Sequence, residues 1–391
     1  MQPGQPLPYL GYLDSLRGIA ILGVLATHVA AITSQTSFMA RPLFRGTNGV
    51  ELFYMVSAFT LFLSLDARTQ EHHPKVNFFI RRFFRIAPMF YLSILLNIAR
   101  LRFGFVHGRR PATFEYVLGF LFLFGFAPSM INAIVVGGWS IAVETTFYAI
   151  LPLLHRLIRS WHSALIAFGG AFVVLTPLSL YLAHVGRADI EKVEYFAVVW
   201  FPMQLPVFLF GIVLYFIWKG RLQRTFAYAK LVSGILVALP VLATFLQPVE
   251  SHGYLPGDVF LVGMFFLGVL IYPLRLLVNP ATRYLGKISY SFYLLHFFVV
   301  ETVPKAWTVL THRPGNFAGL AYGHLPSFLA MYVVALAITV PICVLSFHWI
   351  EQPGIRLGRR LIAKLEHRAV TRAQLAMPAL GSALDTPDAQ V

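Results

Sequence analysis

The fold class this sequence predicts is all-α, a polytopic transmembrane helical bundle, and three observations carry it. Of 391 residues, 58% are hydrophobic and only 12% are charged, about half the charged share of a soluble chain. Apolar blocks long enough to cross a bilayer, about 17 to 25 residues each, recur from end to end. The formal net charge of +15 sits in short basic clusters between those blocks, which is the positive-inside pattern. That pattern accounts for the charge, so the partner it implies is the lipid bilayer and not nucleic acid.

Eleven apolar segments follow in order, at 16–36, 48–65, 86–106, 116–136, 139–154, 163–184, 196–218, 231–248, 257–278, 288–305 and 326–350. The first is read as a retained span: it follows Arg17, contains His28 and lacks a small-residue cleavage site. Asp14 is placed to cap its first turn. Basic clusters at 68–85, 219–230, 275–287 and 356–368, with a weaker one at 156–159, are assigned to the cytoplasm.

Two cytoplasmic ends require an even number of crossings, yet three apolar segments lie between residues 85 and 156. One of them must fail to cross. The sixteen-residue stretch 139–154, which holds Trp139, Ser140 and Glu144, is the best suspect. Irregular backbone at membrane depth is tolerated where protein or a water-filled cavity covers it. The expectation is therefore about ten spans plus one short re-entrant or broken segment, with both termini cytoplasmic. Arg109 and Arg110 are the awkward residues, because this scheme puts them outside.

The transmembrane domain is drawn over 1–365. A polar tail, 366–391, follows and is expected to be dispensable for chemistry. The run IRLGRRLIAKLEHR before and across that boundary reads as a basic helix lying on an anionic leaflet. One cysteine, Cys343, excludes an intrachain disulfide and a Cys-based metal site. No HExxH, CxxC or phosphate-binding glycine loop occurs, and His72 and His73 read as exposed loop residues, so no metal is expected.

Four stretches carry polar chemistry inside apolar surroundings. In LDSLRGIAILGVLATHVA, Arg17 and His28 are eleven residues apart, which at ~100° per residue places them on one face about 16 Å apart. A neutral imidazole at that depth can accept a proton. Ionisable groups inside spans usually face a functional cavity, although Arg17 alone also fits a snorkelling membrane-edge arginine. In NFFIRRFFRIAPMFY, Arg82 and Arg85 stand at i, i+3 and Arg81 and Arg85 at i, i+4. Convergent guanidiniums match phosphate oxygens, or they mark the membrane edge.

In GGWSIAVETTFYAILP, Glu144 follows Ser140 by one turn, flanked by Trp139 and Tyr148. Its carboxylate suits either catalysis or pairing with a buried arginine. In LGKISYSFYLLHFFVV, Tyr290, Tyr293 and His296 fall at i, i+3, i+6, with the tyrosines also readable as interfacial belt residues. Glu51, in NGVELFYMVSAF, is a further acid near the outer end of the second span.

These motifs together resemble the acyltransferase-3 family of integral-membrane O-acyltransferases. LDSLRGIAILGVLATH is similar to its first-helix signature of an arginine, ten residues and a histidine. GVELFYMVSAF resembles its GVDLFFVLSGF segment, RRFFRIAPMFY its R-R-x-x-R-I-x-P element, WSIAVETTFY its WSLSVEEQFY element and LGKISYSFYLLH its LGxxSYxxYLLH stretch. WIEQPG in the final helix fits as well. The ordered set, from residue 13 to 296 and beyond, is what makes the resemblance specific.

The resemblance implies ten spans and a cytoplasmic acyl-CoA donor, acetyl-CoA by default, used as a co-substrate with no resident cofactor. It implies transfer to a hydroxyl of an exported or cell-surface glycan, free or lipid-linked, in a bacterial inner membrane, alongside polysaccharide-assembly proteins. His28 would be the catalytic base and Arg17 its motif partner. Arg82 and Arg85, with Arg81, would serve the donor. Trp139, Ser140 and Glu144 would belong to the active cavity, with Tyr148, Tyr293, His296 and Glu51 as further lining residues. Departures are Glu51 for the family's aspartate, Ala58 for a glycine, and Thr145 and Thr146 for a polar or acidic pair. The expected form is the stand-alone one, without a fused hydrolase-like domain. Two rival readings are a transporter or flippase, whose inverted repeats are not evident here, and a non-catalytic subunit of a polysaccharide-assembly complex.

Overall fold

The computed structural model describes residues 10–36, 38–102, 111–126, 130–132, 134–186, 196, 198–220, 227–246 and 257–376. Arg109 and Arg110 lie outside them. The described chain is almost wholly helical, and seven of its helices are long and apolar enough to cross a membrane. A two-stranded antiparallel hairpin, β1 (Asn316–Phe317) and β2 (Leu320–Ala321), is the sole sheet among the described residues.

Helix α1 (Gly11–Ile32) runs through the middle of the bundle. Asp14 does not cap it. The helix starts three residues earlier, at Gly11, so Asp14 lies within its first turn and pairs with Arg17 at 3.7 Å. The short helices α2 (Ala40–Phe44) and, after a 3-10 turn, α3 (Asn48–Ala67) return antiparallel to it. Helix α4 (Pro74–Arg102) opens on a proline, whose fixed φ suits a first helical turn. Its 29 residues span about 43 Å, so Arg81, Arg82 and Arg85 sit inside one continuous helix and not in a preceding loop.

The interrupted backbone is not the stretch 139–154. That stretch lies within α6 (Trp139–Leu157), a regular helix of 19 residues. The break falls one segment earlier. There α5 (Thr113–Phe120) stops after eight residues, a 3-10 turn follows at Phe124–Phe126, and the described residues from 130 to Gly138 are turns and bends. Carbonyls freed by this break need donors, and side chains of the surrounding helices supply them. Tyr91 Oη donates to Phe120 O at 2.8 Å, Asn97 Nδ2 to Ile134 O at 2.7 Å, and Tyr293 Oη to Gly137 O at 3.0 Å.

Helices α7 (Trp161–Gly186), α8 (Phe201–Gly220), α9 (Ala229–Leu246) and α10 (Asp258–Ile271) come next. A short α11 (Pro280–Lys287) then leads into α12 (Ser289–Thr311), and α13 (Leu325–Ser346) runs through a π-helical turn, Phe347–Glu351, into α14 (Gln352–Ala376). No break in α14 marks the compositional boundary at 365. Beyond it, Glu366 accepts hydrogen bonds from the backbone N–H groups of His72 (3.0 Å) and His73 (3.2 Å) and from Asn77 Nδ2 (2.6 Å). The imidazoles of His72 and His73 are exposed, as expected.

Two features hold the end of the bundle that bears the arginines. Asp66, at the end of α3, accepts from His155 of α6 at 2.7 Å and from Tyr215 and Lys219 of α8 at 2.5 Å each, so three helix ends meet at one carboxylate. α1 and α11 also touch backbone to backbone. A Cβ on Gly18 would sit 2.1 Å from Thr282 O, and one on Gly286 would sit 1.8 Å from Asp14 O. Only small residues permit such an approach, and it fixes the height of Arg17, next to Gly18.

Candidate active site

Five helices line a half-open cleft at this end of the bundle. α6 offers Ser140, Glu144 and Tyr148, spaced i, i+4, i+8 and therefore on one helical face. α3 faces them with Phe53, Tyr54 and Ser57. α1 contributes Arg17, α4 contributes Arg82 and Arg85, and α12 contributes Tyr290 and Tyr293. Seven of the residues anticipated from sequence thus line one space: Arg17, Arg82, Arg85, Ser140, Glu144, Tyr148 and Tyr293.

The cleft is positive. Three guanidiniums line it against one carboxylate, that of Glu144. Glu144 is itself held by hydroxyls, accepting from Ser57 Oγ at 2.7 Å and from Tyr148 Oη at 2.5 Å. Arg17 donates to Thr60 Oγ1 at 2.9 Å. Arg82 lies over the Tyr148 ring, 5.9 Å from its centroid, and its Nε is buried with no hydrogen-bond partner. Arg85 makes no hydrogen bond or ion pair among the described residues. Guanidinium donors without protein acceptors, in a half-enclosed site where charge is poorly screened, have the chemistry to receive an anion with several oxygens.

Hydroxyls continue inward from the arginines. Ser140 Oγ is 2.7 Å from Tyr293 Oη, and both donate to Gly137 O, at 3.2 and 3.0 Å. Gly137 has φ +73°, and a Cβ there would lie 2.5 Å from the Phe297 ring. Glycine is therefore required on two counts. One turn beyond Tyr293 lies His296, fully buried, with its ring centroid 5.8 Å from that of Tyr293. His296 in turn faces His28 of α1 across 5.2 Å, and Phe297 packs on both imidazoles, at 4.2 and 4.3 Å.

The other anticipated residues stand elsewhere. Arg81 points away from the cleft and forks onto Glu71, with its Nη1 2.8 Å from Oε1. Glu51 is buried on another face of α3, by the Arg45–Asp258 ion pair of 3.0 Å. Trp139 stands edge-on to Tyr54, 6.5 Å between centroids, behind the lining. His28 and His296 pair with one another and are not part of the cleft wall.

Three contributors escaped the sequence reading: Ser57, Thr60 and Gly137. Ser57 and Thr60 are small hydroxyls in an apolar run, and their one signal is polarity six and nine residues beyond Glu51. Gly137 was readable only as half of a Gly-Gly pair before Trp139. Glu351, fully buried in the π-helical turn, accepts from the N–H of Ser291 at 3.0 Å and from its hydroxyl, and so holds the first turn of α12. Among the described residues no cluster of three or more metal-ligating side chains occurs.

Comparison with known proteins now adds identity to this geometry. The chain is 22% identical over 390 residues to a Staphylococcus aureus (strain COL) protein named "Putative O-acetyltransferase", covering 90% of this chain and 58% of that protein. The chain thus spans little more than half the length of the staphylococcal relatives it matches. It is 28% identical over 343 residues to the exopolysaccharide production protein ExoZ of Rhizobium meliloti, covering 83% and 95% of the two chains. With an acetyltransferase-named protein of Acidianus two-tailed virus, identity is 24% over 303 residues, covering 74% and 83%. No solved structure matches. The family model described as "Acyltransferase domain" matches residues 10–348, nearly the whole membrane-embedded bundle, and the chain belongs to that acyltransferase family.

Proposed function

We propose that this protein is a membrane O-acyltransferase that moves an acyl group, acetyl by default, from cytoplasmic acyl-CoA to a hydroxyl of an exported or cell-surface glycan, with His28 as general base. The observation that carries the reading is the cleft in which Arg17, Arg82 and Arg85 outnumber the single carboxylate of Glu144. It suits the clustered phosphates of a coenzyme A. From it, Ser140, Tyr293 and His296 lead in stepwise contact to His28.

In this reading the arginines hold the phosphates at the cytoplasmic end, and the pantetheine arm runs between α1, α6 and α12. The acceptor hydroxyl approaches from the outer side. His28 takes its proton, the oxygen attacks the thioester carbonyl, the C–S bond breaks, and the proton passes to the departing thiolate. Ser140 or Tyr293 supplies a hydroxyl to the developing oxyanion. A positioned base of this kind contributes about 10²–10⁴ in rate. The glycan acceptor follows the name of the ExoZ relative, and a bacterial inner membrane follows from the same class of substrate. In this reading both termini lie in the cytoplasm, on the side of the basic clusters.

The test gives radiolabelled acetyl-CoA to membranes holding equal amounts of wild-type protein or the His28→Ala variant, and follows label into lipid-linked or polymeric glycan. Transfer by the wild type alone is expected. Equal transfer by both would remove His28 from the chemistry. Absence of transfer by both, with an acceptor-rich membrane supplied, would favour a transport role for the same charged path.

A further inference from the structure

We propose that His296 is a positioning residue for His28: its Nε2 accepts a hydrogen bond from the His28 ring, orienting the imidazole that receives the acceptor's proton. The inference rests on the general-base reading of His28.

The tautomer of His296 follows from its neighbours. Its Nδ1 lies 2.8 Å from Tyr293 O and 3.1 Å from Phe292 O. Carbonyl oxygens only accept, so Nδ1 bears the hydrogen and Nε2 presents a lone pair. That Nε2 is buried and has no hydrogen-bond partner. A buried acceptor left unmade is costly, so it is an exception that asks for a donor.

His28 is the donor within reach. The ring centroids are 5.2 Å apart. Each ring nitrogen stands about 1.1 Å from its centroid, so two nitrogens turned toward each other would be about 3 Å apart, a hydrogen-bond distance. The rings stand tilted at 42° and make no hydrogen bond in the structure; in this proposal the His28 ring turns to make it, as catalytic hydrogen bonds often tighten only once substrate is bound. The remaining sides of His296 are closed by Phe292, Tyr293 and Phe297. Burial assigns the roles: His296 is fully enclosed, whereas His28 is only partly buried. His28 therefore meets substrate and His296 stands behind it. When His28 takes a proton, the Nε2 lone pair faces an imidazolium N–H, and the contact becomes a charge-assisted hydrogen bond.

Two substitutions of opposite character separate positioning from space-filling. His296→Gln keeps an acceptor near the Nε2 position, whereas His296→Phe fits the aromatic surroundings and offers none. Each is compared with wild type, His28→Ala and the double variant His28→Ala/His296→Phe, at matched levels of monodisperse protein, using labelled acetyl-CoA in acceptor-containing membranes. The expected result is a kcat lowered ~10–100-fold by Phe, the range for losing a hydrogen bond to a charged group, with the KM for acetyl-CoA unchanged. Gln should recover most of that loss, and the double variant should be no slower than His28→Ala, because the pair acts as a unit. Near-wild-type activity of the Phe variant would overturn the proposal, as would a double variant whose loss is the product of the single losses. Activity retained by His28→Ala would instead refute the general-base reading itself, a different and distinguishable outcome.

Discussion

Ser57 donates a 2.7 Å hydrogen bond to Glu144, tying α3 to α6 across the floor of the cleft. With Tyr148 donating to the same oxygen, the sole carboxylate of the cleft lining is fixed opposite three guanidiniums. Replacing Glu144 by Ala strands both hydroxyls and removes the carboxylate that faces Arg82 and Arg85, while Arg17 keeps Asp14. We expect a loss of about 2–6 kcal/mol, at ~1–3 kcal/mol for each buried hydroxyl left unsatisfied, and a smaller loss for Glu144→Gln. Thermal unfolding in detergent measures it, and an unchanged midpoint for Glu144→Ala would deny the carboxylate this role.

The arginines are predicted to be unequal. Arg82 and Arg85 line the cleft, whereas Arg81 is engaged by Glu71 outside it. Arg82→Gln and Arg85→Gln should each raise the KM for acetyl-CoA about 10–100-fold, the effect of losing one charge-assisted contact. Arg81→Gln should leave KM nearly unchanged. Similar rises for all three would mean that the cluster acts as a diffuse field and not through the cleft.

Gly137→Ala adds a Cβ 2.5 Å from the Phe297 ring at a residue with φ +73°. Strain of this kind costs about 1–3 kcal/mol. Because Phe297 packs on both His28 and His296, the variant should lose more activity than its fall in melting temperature explains. Comparison of residual activity well below the midpoint with the wild type decides this, and proportionate losses would confine Gly137 to stability.

Gly286→Val should prevent accumulation of folded protein, because the new side chain meets the backbone of Asp14, which cannot yield as a side chain would. Gly234, with nothing within 4 Å of a built Cβ, is the control. Gly234→Ala should be neutral or stabilising by up to about 1 kcal/mol. Size-exclusion profiles of detergent extracts distinguish the two, and a well-folded Gly286→Val protein would contradict the close packing of α1 and α11.

Much of the candidate site was legible because polar residues in apolar surroundings are rare and costly. Glu144, Ser140 and Tyr148 announce themselves at helical spacing, and α6 presents them on one face. The arginines were legible as a group but not individually. Three guanidiniums within five residues look alike in sequence, and only the position of Glu71 removes Arg81 from the cleft. Glu51 misled for the same reason: a buried acid shows its cost in the sequence, but its neighbours, Arg45 and Asp258, lie on other elements. The break in the membrane-embedded backbone was foreseen by parity yet put one segment too late. The shortness and polar residues of 139–154 made that stretch look unfit to cross, while the donors that satisfy the break in the segment before it, Tyr91, Asn97 and Tyr293, lie far from it along the chain.

By itself the sequence determined the solvent and the secondary structure of this protein. Apolar blocks of bilayer length leave helix as the state that satisfies the backbone internally, and ordered motifs assign the family. Tertiary structure alone decided which polar groups meet. Arg17 and His28 share one helix, but one faces the arginine cleft and the other faces His296, 268 positions further along the sequence. Such pairings depend on helix rotation and on contacts between backbones, and those are set by packing over many residues, not by the spacing within any one segment.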